Sequence, residues 1–241
     1  MIVLGLDTST PSTVVGLRIA DGATLQARDD PAGGERPGHA IRLLPLANGL
    51  LREAGLEWDA IARIAVGVGP GTFTGLRIGV ATARGLAQSL AVELVGLSSL
   101  LALSHAARVE KPENTGVLAV IDARRSEVFV AAYDGDMETV EPQALAPTDI
   151  GGLLARAEAS TGLAHWMAVG DGATRYRDAI ERLGVVVPGE DSALHRIDAR
   201  SLCELGKGAS PGDVHVVPDY LRRPDAEIAR APEGTTEGAV S

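Results

Sequence analysis

Val66-Gly67-Val68-Gly69-Pro70-Gly71-Thr72-Phe73-Thr74-Gly75-Leu76-Arg77-Ile78-Gly79 is the stretch on which the fold turns. Its first residues complete an apolar strand, its glycines and Pro70 make a tight turn, and Thr72 or Thr74 is expected to cap a helix running to about Leu90. A glycine-rich turn entering a helix leaves backbone N–H groups pointing outward, so the loop reads either as an anion or phosphate cradle or as a plain strand-to-helix turn. Along the helix, Gly75, Gly79, Ala83 and Ala87 form a ridge almost without side chains. Glycine costs a helix interior roughly 0.5–1 kcal/mol relative to alanine, so the ridge needs a closely packed partner, in this chain or in another subunit.

Working outward, the chain reads as two similar halves. Val3 to Asp7 is an apolar strand followed by Thr13 to Ile19, a turn at Asp21-Gly22, and a third strand from Thr24 to Arg28. His39 then opens a helix in which Leu43, Ala47, Leu50 and Ala54 repeat at helical spacing, with Pro45 expected to kink it or mark its true start. Glu93 to Leu97 is a further strand, and Ser98 or Ser99 caps a helix reaching about Val109. After Lys111-Pro112-Glu113-Asn114 the pattern restarts: Leu118 to Asp122, Glu127 to Tyr133, a turn at Asp134-Gly135, and Val169-Gly170-Asp171-Gly172-Ala173 as the echo of the first glycine loop. Thr148 to Glu158, Tyr176 to Leu183 and Asp198 to Lys207 read as helices, Trp166 to Gly170 and Val185 to Val187 as strands. The expected lobes are residues 1–110 and 111–224, with a disordered tail over 225–241.

Composition narrows the class. The 241 residues are 45% hydrophobic but only 3% aromatic, so the cores must be aliphatic, as suits buried parallel strands under helices. A net charge of −10 argues against a free-standing nucleic-acid binder. The single cysteine, Cys203, sits in an amphipathic helical stretch and reads as a small buried hydrophobe. No window approaches the ~18 apolar residues of a membrane span, and Met1 leads straight into a strand without a basic leader; a soluble, cytoplasmic protein is expected.

"LGLDTST" from Leu4, His39 opening a Leu-Pro-containing helix, "GVGPGTFTGLRIGVATARGLA" from Gly67, "VIDARRSEVFVAAY" from Val120, "VGDGA" from Val169 and "PDYLR" from Pro218 occur in this order. Together they resemble the dimerisation subunit of the bacterial tRNA threonylcarbamoyladenosine machinery, an inactive paralogue of the catalytic threonylcarbamoyltransferase. The resemblance implies a two-lobed actin-like α/β fold with mixed sheets, of the sugar-kinase and Hsp70 ATPase superfamily. It implies a scaffold without catalysis of its own, joined to the catalytic paralogue by a helical bundle, with a P-loop ATPase subunit in the same complex, tRNA reached only through the complex, and a homodimer when alone. Carried onto this sequence, the interface falls on His39, Leu43, Leu44, Ala47, Thr74, Gly75, Arg77, Ile78, Gly79, Ala81, Thr82 and Ala83. Leucine at Gly79 or Ala83 is then expected to block the pairing while the lobes still fold.

A catalytic paralogue holds a metal with two histidines four apart on a helix, whereas His39 is followed at that spacing by Leu43, and His105, His165, His195 and His215 stand in separate elements. No catalytic residue and no metal are therefore expected. A small-molecule kinase or ATPase of the same superfamily is the alternative, for which Asp7, Thr8, Ser9, Gly69, Gly71 and Gly170 are the candidate nucleotide or phosphate contacts. No cofactor is required by the scaffold reading, which leaves ATP or ADP a place at a subunit junction. A glycoprotease-like peptidase ranks below both, since Ser9, Ser12, Ser98 and Ser99 lack an elbow signature. Arg124 and Arg125 read as a solvated turn or as a clamp for carboxylates.

Overall fold

The computed structural model describes residues 1–32, 35–210 and 216–221. Two mixed sheets share one plan. In the first, β1 (Val3–Asp7), β2 (Thr13–Arg18), β3 (Thr24–Asp29), β4 (Arg63–Gly69) and β5 (Glu93–Ser98) stand in the order β3-β2-β1-β4-β5. β1 pairs antiparallel with β2, Val3 opposite Arg18 and Asp7 opposite Val14, and parallel with β4, Val3 opposite Arg63. The second sheet holds β6 (Thr115–Arg124), β7 (Glu127–Asp134), β8 (Met137–Leu145) and β9 (His165–Val169) in the order β8-β7-β6-β9, again a meander with a parallel strand added beside its first member. The fold is the two-lobed actin-like one.

Alternation along β1 explains the layering, because successive side chains leave a strand on opposite faces. Leu4 and Leu6 join Val15, Leu17 and Val66 beneath α1 (His39–Glu53) and α2 (Phe73–Leu90) on the outer face of the first sheet. Val3, Val14 and Ala65 face inward, toward an apolar layer built with α3 (Ser99–Ala107) and α7 (Ala199–Gly208). The second sheet buries Leu118, Val120, Val128 and Val130 beneath α4 (Ile150–Thr161), α5 (Asp171–Arg175) and α6 (Arg177–Glu181), and turns Val117, Ala119, Ile121 and Phe129 to the inner layer. The inner helices are exchanged: α3 follows the first sheet in the chain yet packs on β6, and α7 follows the second yet packs on β1, β2 and β4. Gly16 makes this approach possible, since a Cβ there would stand 2.8 Å from the Ala199 carbonyl oxygen and 2.9 Å from Cys203 Sγ. Burial pushes the Cys203 thiol up to about 12, so Cys203 is an inert core residue.

Several local expectations need correction. Thr72 holds the N-cap position of α2, but its hydroxyl caps nothing and Thr74 lies in the first turn. Pro45 neither starts nor ends α1, which runs through it with the ring on the exposed side. α3 stops at Ala107, leaving Val109 outside; the helix expected over Tyr176 to Leu183 is the shorter α6, and the glycine turn before it itself winds into a helix, α5. Val185 to Val187 makes a single bridge, Val186 to Met167. β8 escaped the reading because it is a half-buried edge strand carrying two glutamates and a proline, residues depleted from strands. The predicted tail, 225–241, lies outside the described residues, as do Arg222 and Arg223.

Candidate functional site

Asp7 ends β1 with its carboxylate fully buried. One oxygen accepts hydrogen bonds from the Ser9 N–H (2.8 Å) and the Ser9 hydroxyl (2.7 Å), the other from the Ser99 hydroxyl (3.0 Å). Burial pushes the Asp7 carboxyl above its ordinary range, and these bonds only partly oppose it. Gly67 faces the same carboxylate, which a Cβ would strike. Thr8 donates its hydroxyl to the Gly75 carbonyl (2.7 Å), and the Thr72 N–H donates to the Ser9 carbonyl (2.7 Å).

The polar groups expected to meet phosphate are thus consumed inside the protein: Asp7, Thr8 and Ser9 are all completely buried. The glycines are equally occupied. A Cβ on Gly69 would lie 2.7 Å from the Asp219 carbonyl oxygen, one on Gly71 2.6 Å from Ser9 Cβ, and one on Gly170 against the Val120 carbonyl. Asp219 also donates its N–H to the Val68 carbonyl (2.7 Å), so the segment Val216 to Leu221 lies across the glycine loop. The expected cradle is filled by the chain itself.

The second half has a more open counterpart. Asp122, at the turn between β6 and β7, accepts the Arg124 N–H (3.0 Å) and pairs with the guanidinium groups of Arg124 (3.1 Å) and Arg175 (3.2 Å), both more than half exposed. Its own N–H donates to Asp171 (3.0 Å), whose carboxyl burial drives upward. Arg124, Arg125 and Ser126 are successive left-handed residues, with φ of 64°, 52° and 61°. Between the halves lies a cleft of about 310 Å³ lined by Thr10, Ser12, Arg28, Asp30, Asp171 and His195. Arg28 grips Asp30 on one wall (2.9 Å), and Arg196 reaches the same carboxylate from the other lobe (3.7 Å).

Among the described residues, histidine geometry assembles no hydrolytic site. His39 is buried, its Nδ1 2.9 Å from the Thr13 hydroxyl, and burial lowers its pKa against the pull of Asp29, so it is a neutral core residue. His105 meets Ser201 at 3.2 Å, but Ser201 is buried and hands its own proton to Asp198 (3.3 Å), so the carboxylate orients the serine and not the histidine. Among the described residues, no three His, Cys, Asp or Glu side chains are grouped to hold a metal.

The remaining feature is a helical face turned to solvent. α1 exposes Ile41 (72%), Leu44 (44%), Pro45 and Gly49; α2 exposes Thr74, Arg77, Ala81 and Gly85, with Ile78 and Thr82 half-buried between them. Side chains at Gly49 or Gly85 would meet none of the described residues, so no packing among those residues accounts for either glycine. Leu44, Pro45, Trp58, Leu86 and Leu90 line a shallow groove at one end of this face. Half of the expected interface is misplaced. His39, Leu43 and Ala47 on α1 and Gly75, Gly79 and Ala83 on α2 are buried in the first lobe, where Gly75 and Gly79 receive Thr8 and Ala83 and Ala87 meet the outer core. The ridge partner is therefore this chain, and leucine at Gly79 would damage the lobe itself. Sequence reading missed Ile41, Gly49 and Gly85, although an isoleucine beside polar neighbours and glycines off the buried ridge were visible signals.

Known proteins share this arrangement. The family model described as tRNA N6-adenosine threonylcarbamoyltransferase (TsaD) matches residues 35–230. The "tRNA threonylcarbamoyladenosine biosynthesis protein TsaB" of Escherichia coli is 31% identical over 229 residues, covering 92% of this chain and 95% of its own length. The chain belongs to the TsaB family. Its Bacillus subtilis namesake is 30% identical over 249 residues, with 94% and 96% coverage. A solved Pseudomonas aeruginosa structure, described as similar to the peptidase YeaZ, superposes with a TM-score of 0.72 at 30% identity, covering 92% of this chain and 99% of that one. A ROK hexokinase from Thermus thermophilus superposes at 0.52 with 14% identity, which places the TsaB fold among actin-like ones and says nothing of its chemistry. No helix among the described residues is long and apolar enough to cross a membrane.

Proposed function

We propose that this chain is a non-catalytic subunit of tRNA threonylcarbamoyladenosine synthesis that binds and supports the catalytic threonylcarbamoyltransferase through the outer face of α1 and α2. The observation carrying the reading is that face itself, with Ile41 and Leu44 in solvent beside glycines that nothing among the described residues explains. Exposed aliphatic side chains grouped on two adjacent helices are characteristic of a protein contact, and an unshielded helical glycine lets a second helix approach closely. The family's name supplies the pathway. Self-sufficient phosphoryl transfer is disfavoured because Asp7, the carboxylate placed to orient a metal, is sealed by three internal hydrogen bonds.

In this proposal a P-loop ATPase subunit completes the complex, ATP or ADP binds at a subunit junction, tRNA is engaged only by the assembly, and the α1–α2 face closes a homodimer when the chain is alone. The test is reconstitution with the catalytic paralogue, the ATPase subunit, tRNA, threonine, bicarbonate and ATP, omitting each in turn. Modified adenosine is expected only with this chain present, and no phosphate release from this chain with ATP alone. Phosphate release by the isolated chain, abolished by Asp7→Asn, would establish the kinase reading instead.

A further inference from the structure

Arg77 leaves α2 on its exposed face yet is held in one position. Its guanidinium carbon lies 3.6 Å above the Phe73 ring centroid, and its Nε–H donates to the Tyr220 hydroxyl at 2.9 Å. The two rings meet with centroids 5.0 Å apart. Phe73 comes from the first turn of α2, whereas Tyr220 arrives from a segment far along the chain, fixed at Asp219 against Val68 and Gly69. A bond between residues so distant in sequence shows that the C-terminal segment is folded against this helix.

Several other arginines end on carboxylates: Arg18 on Glu204, Arg28 on Asp30, Arg63 on Glu93 and Arg175 on Asp122. Arg77 is held by two rings and a phenol, and no acidic oxygen among the described residues pairs with it. With Nε taken by the Tyr220 hydroxyl, the two Nη groups of a planar, pre-oriented fork make no ion pair or hydrogen bond with a described residue, on an exposed residue next to Ile78. Stacking removes most of the conformational freedom that an exposed arginine loses on binding, and a fork of this kind matches a carboxylate with two parallel hydrogen bonds.

We propose that Arg77, positioned by Phe73 and Tyr220, is a pre-formed receptor for an Asp or Glu side chain of the protein that covers α1 and α2. This rests on the reading of that face as the partner surface. A protein carboxylate fits better than nucleic-acid phosphate because Ile78 and Ala81 beside Arg77 on α2 and Ile41 and Leu44 elsewhere on the same outer face are apolar, and the chain carries a net charge of −10. Phe73 and Tyr220 are positioning residues and touch the partner only through the guanidinium they orient.

Titration calorimetry of the full chain against the purified catalytic paralogue, at low and high salt, tests this. Arg77→Gln is expected to weaken binding about 30-fold or more and to flatten its salt dependence. Arg77→Lys should weaken it about tenfold, because an ammonium neither stacks nor forks; Tyr220→Phe should weaken it about threefold with an unchanged melting curve. Ile78→Asp is the control for the face, expected to abolish binding. Wild-type affinity for Arg77→Gln, with Ile78→Asp inactive, overturns the receptor and leaves the face; wild-type affinity for Ile78→Asp overturns both. Full affinity for Arg77→Lys overturns the forked geometry. Arg77-dependent binding of tRNA or inorganic phosphate by the isolated chain overturns the choice of a protein carboxylate.

Discussion

The turns after β1 and β6 occupy equivalent places in the two lobes and are filled in opposite ways. At Asp7 the turn is closed with neutral hydroxyls: Ser9 and Ser99 saturate a carboxylate that no water reaches, and Thr8 ties the turn to α2. At Asp122 the corresponding carboxylate is neutralised by exposed guanidinium groups on a turn whose three residues are all left-handed. One plan has thus given a turn sealed by hydroxyls and a turn closed by charged, exposed arginines. The first has become structural support for the helical face outside it.

The largest effect that separates the lobes is expected from Gly79→Leu. Its side chain would enter the space of Thr8, so a loss of about 3 kcal/mol and a fall in Tm of roughly 10 °C are expected from a thermal melt. An unchanged Tm would restore the ridge as an external surface. Next, Asp7→Asn should cost about 2 kcal/mol, because its amide NH2 replaces the oxygen that accepts from Ser99 and the buried hydroxyl must turn to accept instead. Asp122→Asn should cost about 1 kcal/mol or less, since the arginines it releases are already in water. Equal losses in chemical denaturation would erase the contrast between sealed and open turns.

A smaller effect concerns pH. Asp7 and Asp171 have folded pKa values raised by burial, so each contributes more to stability as pH falls from neutrality into the carboxylate range, and that contribution is lost as pH rises through its folded value. Asp30 is the reverse. Burial would raise it, but the hydrogen bonds from Arg28 and Ser12 and the nearby Arg28 and Arg196 charges outweigh burial and hold it below its ordinary value. Its contribution is present above the ordinary aspartate pKa and lost as pH falls through the depressed one. Asp30→Asn should therefore lower Tm slightly at pH 7 and not at the acid end of the titration. A constant offset across that range would show that Asp30 does not titrate differently in the folded state.

How much of this was legible follows from what each signal measures. The duplicated hairpins, the glycine loop and the exchange of periodicity from strand to helix were readable because burial on both faces writes long apolar runs between turn residues. The direction of the α2 ridge was not. Gly75, Gly79, Ala83 and Ala87 state that something approaches closely, and only Thr8, distant in sequence, reveals that it is the same lobe. His39 and Leu43 were placed on a partner surface by the family resemblance, which picks out the helix but not which of its faces is outward. Asp7 was read as a phosphate contact because an acidic residue ending a strand looks alike whether its neighbours are solvent or Ser99. Tyr220 was legible only as part of the closing "PDYLR" motif, since its stack on Phe73 joins residues far apart in the chain.

The exchanged inner helices set a constraint on synthesis. When the ribosome has completed the first sheet, its inner face, with Val3, Val14 and Ala65, still lacks the helix that covers it, because that helix is residues 199–208. At ordinary elongation rates the nascent half stays uncovered for roughly 5–20 s. A ribosome that stalls between the lobes would therefore release a sticky half-protein, and two fragments divided near residue 111 should recover the fold only when supplied together.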